Sequence, residues 1–365
     1  MKMKNNNKGI TLVALVITII ILLILAGITI ASLTQTGLFA AAQDAKTKTE
    51  EKQLEENTTL NEYANEIAKW TGNSQSKALE VNKKYESKTE LTDANGNKIV
   101  VPAGFKIVSD ATTNNATTVD QGIVIEDATG TDTNGSQFVW IPVGDIKKAD
   151  GTTTSIALNR YSFDSNGVAT EFTSTEFIEE DKTNTTSLKN YGNTISENIN
   201  SFKTSVATNG GFYIGRYEAR KSSSGKLTTV KTDSVWNDIT QPNAATNSKN
   251  MYSTGVTSEL MNSYAWDTAT LFLQTFGGNN KYSRQNSSNN GSLATTGTDN
   301  DKQCNVYDMA SNVREWTTET CSYSGFPFTN RGGSYDGSGT YTSNRDFCST
   351  SNSYSGIGFR PLLFL

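Results

Sequence analysis

The chain opens on polar and basic residues. From Ile10 to Leu33 it then reads ITLVALVITIIILLILAGITIASL, in which sixteen residues are Ile, Leu or Val and none is charged. At ~1.5 Å per residue a helix of this length covers a ~30 Å hydrocarbon layer, and each such residue favours insertion by roughly 0.3 to 0.6 kcal/mol. The pattern predicts a membrane-spanning helix over 10–33. Lys2, Lys4 and Lys8 precede the run and Asp44 is the first charge after it. By the positive-inside rule the N-terminus is then cytoplasmic and the C-terminal domain extracellular, a single-pass arrangement in the cell membrane. The run exceeds the ~7–15 apolar residues of a secretory signal core.

Residues 34–70 continue as a helical stalk, rich in strong helix formers from Ala45 to Trp70, with Leu60, Tyr63, Ala64 and Ile67 at helical spacing. Residues 71–97 are mostly polar and read as a linker. From 98 to 365 the period changes to short β-type runs bounded by Gly, Asp and Asn. Examples are Ile99–Ile107, Gly122–Ile125 and Phe138–Val143, separated by Asn/Thr-rich insertions at 112–118 and 183–200. The fold class expected is therefore α+β: a long N-terminal transmembrane and stalk helix followed by a strand-rich domain with many loops.

Composition narrows the chemistry. The 365 residues hold Lys+Arg 32 against Asp+Glu 37, a net charge of −5 without basic blocks, so no nucleic-acid partner is expected. There is no histidine, which excludes imidazole as base, triad member or metal ligand. Three cysteines, Cys304, Cys321 and Cys348, are too few for a disulfide scaffold or a thiolate metal site. One internal bridge is compatible with that number.

The basic leader 1–9, Gly9, and Ile10-Thr11-Leu12-Val13 opening the apolar run resemble the N-terminus of type IV pilins and pseudopilins. The resemblance implies a prepilin peptidase as partner, cleavage after Gly9, methylation of Ile10, and association with other pilins in a pilus-like filament. It departs at the fifth mature position, where the family's Glu is Ala14, so the usual polymerisation contact is missing.

Four ordered segments follow in the C-terminal half: Gly211–Ala219 (GFYIGRYEA), Ser263–Phe272 (SYAWDTATLF), Asn305–Trp316 (NVYDMASNVREW), and Arg331–Tyr335 (RGGSY) leading to Gly358–Pro361 (GFRP). Together they resemble the formylglycine-generating enzyme, or sulfatase-modifying factor, family, which has a C-type-lectin-like fold. In that family two copper-holding cysteines follow the Arg-Gly-Gly-Ser motif. The matching positions here are Gly337 and Thr342, so neither copper nor catalysis is expected, because a soft copper site needs thiolates. The resemblance also implies a calcium loop with Asp308 and Glu315 as side-chain ligands and Ser311 and Val313 offering carbonyls; hard oxygen donors at a turn suit Ca²⁺. Without an ion, Asp308 would cap a turn and Glu315 would pair with an arginine.

The segment 336–355 (DGSGTYTSNRDFCSTSNSYS) is built from Ser, Thr, Asn, Tyr, Gly and Asp, a palette suited to adaptable contact surfaces. It resembles the variable region of retroelement-diversified proteins of the same fold. Asp336, Thr340, Tyr341, Asn344, Asp346, Asn352 and Tyr354 are the expected ligand contacts. The function expected is thus a membrane-anchored, non-catalytic ligand-binding domain with an extracellular ligand. The alternatives are a minor pilin or pseudopilin of a secretion or adhesion apparatus, and a formylglycine-generating oxidase.

Overall fold

The computed structural model describes residues 48, 49, 52, 77–109, 117–179, 199–231, 234–286, 291–298, 301–323, 325–336, 340–348 and 353–365. The chain divides into two compact units, Met1–Gln75 and Ser76–Leu365. In the first, the described residues Lys48, Thr49 and Lys52 are helical.

The strands that build the three largest sheets among the described residues of the second unit are, in chain order, β1 (Lys77–Ala78), β2 (Thr89–Thr92), β3 (Lys98–Val101), β4 (Phe105–Val108), β5 (Val124–Asp127), β6 (Gln137–Pro142), β7 (Phe177–Ile178), β8 (Gly211–Gly215), β9 (Thr257–Leu260), β10 (Arg314–Cys321), β11 (Phe328–Arg331), β12 (Arg345–Cys348), β13 (Ile357–Phe359) and β14 (Pro361–Phe364). The helices are α1 (Ile199–Asn209), α2 (Gln241–Lys249) and α3 (Ser263–Phe276). A three-stranded sheet runs β1-β2-β3, so paired strands occupy part of the segment expected as a linker. A six-stranded sheet runs β9-β14-β8-β6-β5-β4, and a five-stranded one runs β7-β10-β11-β12 with β13 parallel to β10.

The six-stranded sheet is covered on both faces, which is why β6 and β8 read as unbroken apolar runs rather than alternating ones. Successive side chains of a strand point to opposite faces. Val139 and Ile141 accordingly join Phe202 and Val206 of α1 and Trp266, Ala269 and Phe272 of α3 in one core, while Phe138 and Trp140 join Trp316, Phe328, Ile357 and Phe359 of the five-stranded sheet in the other. Helix α3 begins where the Asn262 side chain accepts the Ala265 N–H at 2.8 Å, a standard N-cap.

The α+β expectation is corrected. Among the described residues strand predominates, and α-helix in the second unit is limited to three short segments. The reason lies in the long stretches of Ser, Thr, Asn and β-branched residues, which favour turns and pleated pairing over helical spacing. No helix among the described residues is long and apolar enough to cross a membrane. Single-pass anchoring, the cytoplasmic N-terminus with an extracellular domain, and the membrane, prepilin peptidase and pilins as partners are therefore not retained. Hydropathy measures what a segment would gain in lipid; it does not place it there. The run 10–33, with Gly9 and Ile10, lies outside the described residues.

Candidate binding cleft and its buried support

Residue pairing across the five-stranded sheet decides where the expected contacts go. Strand β12 pairs antiparallel with β11 in the register Arg331↔Arg345 and Asn330↔Asp346. Alternation then sends Arg345 to one face and Asp346 to the other.

On Arg345's face lies a buried ionic cluster. Arg331 donates to Asp267 at 2.5 Å and to the Asn344 carbonyl at 2.8 Å. Arg345 bonds Asp267 and, at 3.1 Å, Glu319, which also receives Arg160. Burial pushes the Glu319 carboxyl up, but Arg345, Arg331 and Arg160 together outweigh it and hold it below the usual carboxylate range. Beside the cluster, Glu179 accepts the Ser263 N–H and the Thr318 hydroxyl, each at 2.7 Å. It faces the Glu319 charge, and burial first of all raises it to about 7.

On Asp346's face, Arg314 of β10 donates to Asp346 at 3.0 Å and lines a cleft of about 190 Å³ with Asp336, Cys348, Tyr354, Gly356 and Ile357. Asp336 is exposed and Tyr354 is 46% exposed. Two of the expected contacts, eighteen positions apart in sequence, thus share one cavity, and a third, Asp346, holds the arginine in its wall. Others serve the scaffold: the Thr340 hydroxyl accepts the Ser334 N–H at 3.2 Å, and the Tyr341 ring lies 3.9 Å from the Arg284 guanidinium. Asn344 gives its carbonyl to Arg331. Asn352 and Gly337 lie outside the described residues. Arg314, Cys348 and Gly356 were not expected as lining. The signal available was alternation along Arg314-Glu315-Trp316, which puts Arg314 and Glu315 on opposite sides of β10.

The loop beneath the cleft is held by close backbone approach. A methyl group on Gly333 would sit 2.0 Å from the Ala310 carbonyl oxygen, and Gly332 has φ of 87°, so glycine is required at both. Thr342 is buried and its hydroxyl donates to the Tyr282 carbonyl at 2.7 Å. Its own carbonyl accepts the Trp266 indole N–H at 2.9 Å.

The expected calcium ligands occupy a second buried cluster. Asp308 accepts the Gly297 N–H at 2.7 Å and Ser311 donates to Asp301 at 3.2 Å. The Val313 N–H goes to Glu218 at 3.2 Å, and both Glu315 oxygens are taken by Arg360, at 2.7 and 3.1 Å. Burial raises the carboxyls of Glu218, Asp301, Asp308 and Glu315, Asp308 to about 7. Among the described residues no group of three or more acidic or cysteine side chains is placed to hold a metal ion. Both Glu315 oxygens are thus engaged by Arg360, which closes that carboxylate to a cation in this arrangement. Cys304, Cys321 and Cys348 form no disulfide.

These raised carboxyls make stability pH-dependent. Native Glu179 and Asp308 keep protons until about pH 7, whereas the unfolded chain releases them near pH 4. The stabilisation present at low pH is therefore lost as pH rises through that window, by on the order of 3 kcal/mol for each group. Thermal melts should show Tm falling from about pH 5 to about pH 7.5. Glu179→Gln, a neutral mimic, should flatten part of that slope; a Tm that climbs across the window would contradict the assignment.

No protein-family profile and no curated protein matches the chain. Among solved structures it is similar to the crystal structure of CarF, with 15% identity over 42% of this chain and 87% of that one, at a TM-score of 0.31. It is also similar to Treponema denticola variable protein 1, with 12% identity over 64% of this chain and 98% of that one, at a TM-score of 0.37. Likenesses at this level carry no functional argument.

Proposed function

We propose that the unit 76–365 is a non-catalytic ligand-binding domain of the formylglycine-generating-enzyme-like kind, with its contact surface at the Arg314–Asp336–Tyr354 cleft. The observation that carries this is the convergence of Asp336, Tyr354 and the Asp346-held Arg314 on one cavity. The support on the other face of the sheet is buried and ion-paired: Arg331, Asp267 and Glu319 are fully buried, and Arg331 pairs with both carboxylates. A buried, ion-paired base behind a polar, tyrosine-bearing rim is the arrangement of a binding surface that tolerates sequence change at its contacts. A retroelement-diversified segment at 336–355 accords with this, and the gene locus would then carry a near-identical template repeat and a reverse transcriptase.

A non-catalytic role is supported by position 342, where a buried threonine hydroxyl spent on the Tyr282 carbonyl stands where the resembled family has a copper thiolate. Incubation of the full chain with copper and a cysteine-containing peptide should yield no oxidised product. The binding assay is direct: displayed random peptides and a glycan array are probed with the wild type and with Asp336→Ala/Tyr354→Ala. Ligands retained by the wild type should be lost by the variant at unchanged Tm. Equal retention by both, or none by the wild type, removes the reading.

A further inference from the structure

We infer that the cleft takes an organic cation, the ammonium or guanidinium end of a Lys or Arg side chain; this rests on the binding reading above. The argument is one of charge. The cation in the cleft wall, Arg314, is already matched by Asp346 at 3.0 Å. Asp336 has no cationic partner among the described residues; its one bond is from the Ser334 hydroxyl, to Oδ1. Oδ2 accepts no hydrogen bond among the described residues and lies close to Gly356 in the cavity lining. A methyl group on Gly356 would lie 2.6 Å from that oxygen, so the missing side chain at 356 is what lets the carboxylate settle against the wall. Tyr354, 46% exposed, lines the same cavity. A carboxylate without a cation beside an accessible aromatic ring is the pairing that attracts an ammonium or guanidinium, through the charge and through the ring face.

An anionic ligand meets the opposite situation. Arg314 keeps its Nε without a hydrogen-bond partner among the described residues, but Asp336 and Asp346 outnumber its single charge, so a further negative group would add net repulsion. Size agrees: about 190 Å³ is below the volume of sites for drug-sized ligands and suits one side-chain end of a larger partner.

The test is isothermal titration of the full chain with N-acetyl-lysine amide and N-acetyl-arginine amide, against N-acetyl-glutamine amide and N-acetyl-glutamate amide. The cationic probes should bind at least about tenfold more tightly than the neutral and anionic ones. Asp336→Asn keeps an acceptor for Ser334 and should lower cation affinity about tenfold at unchanged Tm. Gly356→Ala, which displaces the carboxylate, should act in the same direction. Should a variant fail to fold, salt dependence of the wild type decides, because raising NaCl weakens a charge-borne complex and leaves a neutral one unchanged. Equal binding of the glutamine probe, indifference to Asp336→Asn, or no heat with either cation overturns the inference. A displayed peptide that depends on Tyr354 but not on the charge of Asp336 overturns it while leaving the binding reading in place.

Discussion

Replacing Arg360 with methionine should lower the melting temperature of the domain more than any surface substitution would. The guanidinium is fully buried and donates to both Glu315 oxygens and to the carbonyls of Gly215 and Tyr307, each of the latter at 2.7 Å. Methionine fills much of the volume but supplies no proton, so the Glu315 carboxylate and two carbonyls lose their donor in a buried interior. Breaking a buried pair from one side costs about 3–5 kcal/mol, against a total stability of roughly 5–15 kcal/mol. The effect here belongs to the upper part of that range, because Arg360 also holds down the neighbouring carboxyls of Glu218 and Asp308. At roughly 2–4 °C per kcal/mol for a domain of this size, Tm should fall by some 10–20 °C. Arg360→Met combined with Glu315→Leu should be less damaged than the single variant, since the stranded charge is then gone. A single variant that melts within about 2 °C of the wild type would show that the pair is not a support of the fold.

Trp266→Ala should cost about 3–5 kcal/mol and loosen the cleft together with the core. The indole is fully buried on α3, packs under the Arg331 guanidinium at 5.6 Å, and donates to the Thr342 carbonyl. It also bounds Gly332, where an added methyl would lie 3.1 Å from the ring. Its loss therefore leaves a void against α3 and releases one fastening of the 340–348 segment. Melting and ligand retention should both decline. Trp266→Phe refills most of the void but lacks the N–H, and it should recover more stability than binding. Full binding by Trp266→Ala at a reduced Tm would separate the support from the site.

Several parts of this arrangement could be read before any coordinates. The strands at 99–107 and 138–143 follow from β-branched and aromatic runs between turn formers, because pleated pairing selects those side chains locally. Pairing of Glu315 with an arginine was one of the two readings open for it, and composition alone removed imidazole chemistry. Helical spacing, by contrast, overstated the helical content. Local propensity does not record which segments find pairing partners far along the chain, as Phe177 does with Cys321.

Residue types at 336–355 suggested contact residues, but types alone could not say which line the cleft and which serve the scaffold. That division came from register: the pairing of Asp346 with Asn330 turned Asp346 towards Arg314, while the adjacent Arg345 turned into the ionic cluster. The acidic partners Glu218 and Asp301 carried no local signal, since their proximity to Asp308 and Arg360 joins segments about 90 and 60 residues apart and is created by packing. Chemical character and strand tendency are properties of a residue and its near neighbours, so the chain states them by itself. Which carboxylate is matched by an arginine and which stands without a cationic partner are properties of distance in space, and only the folded sheets decide them.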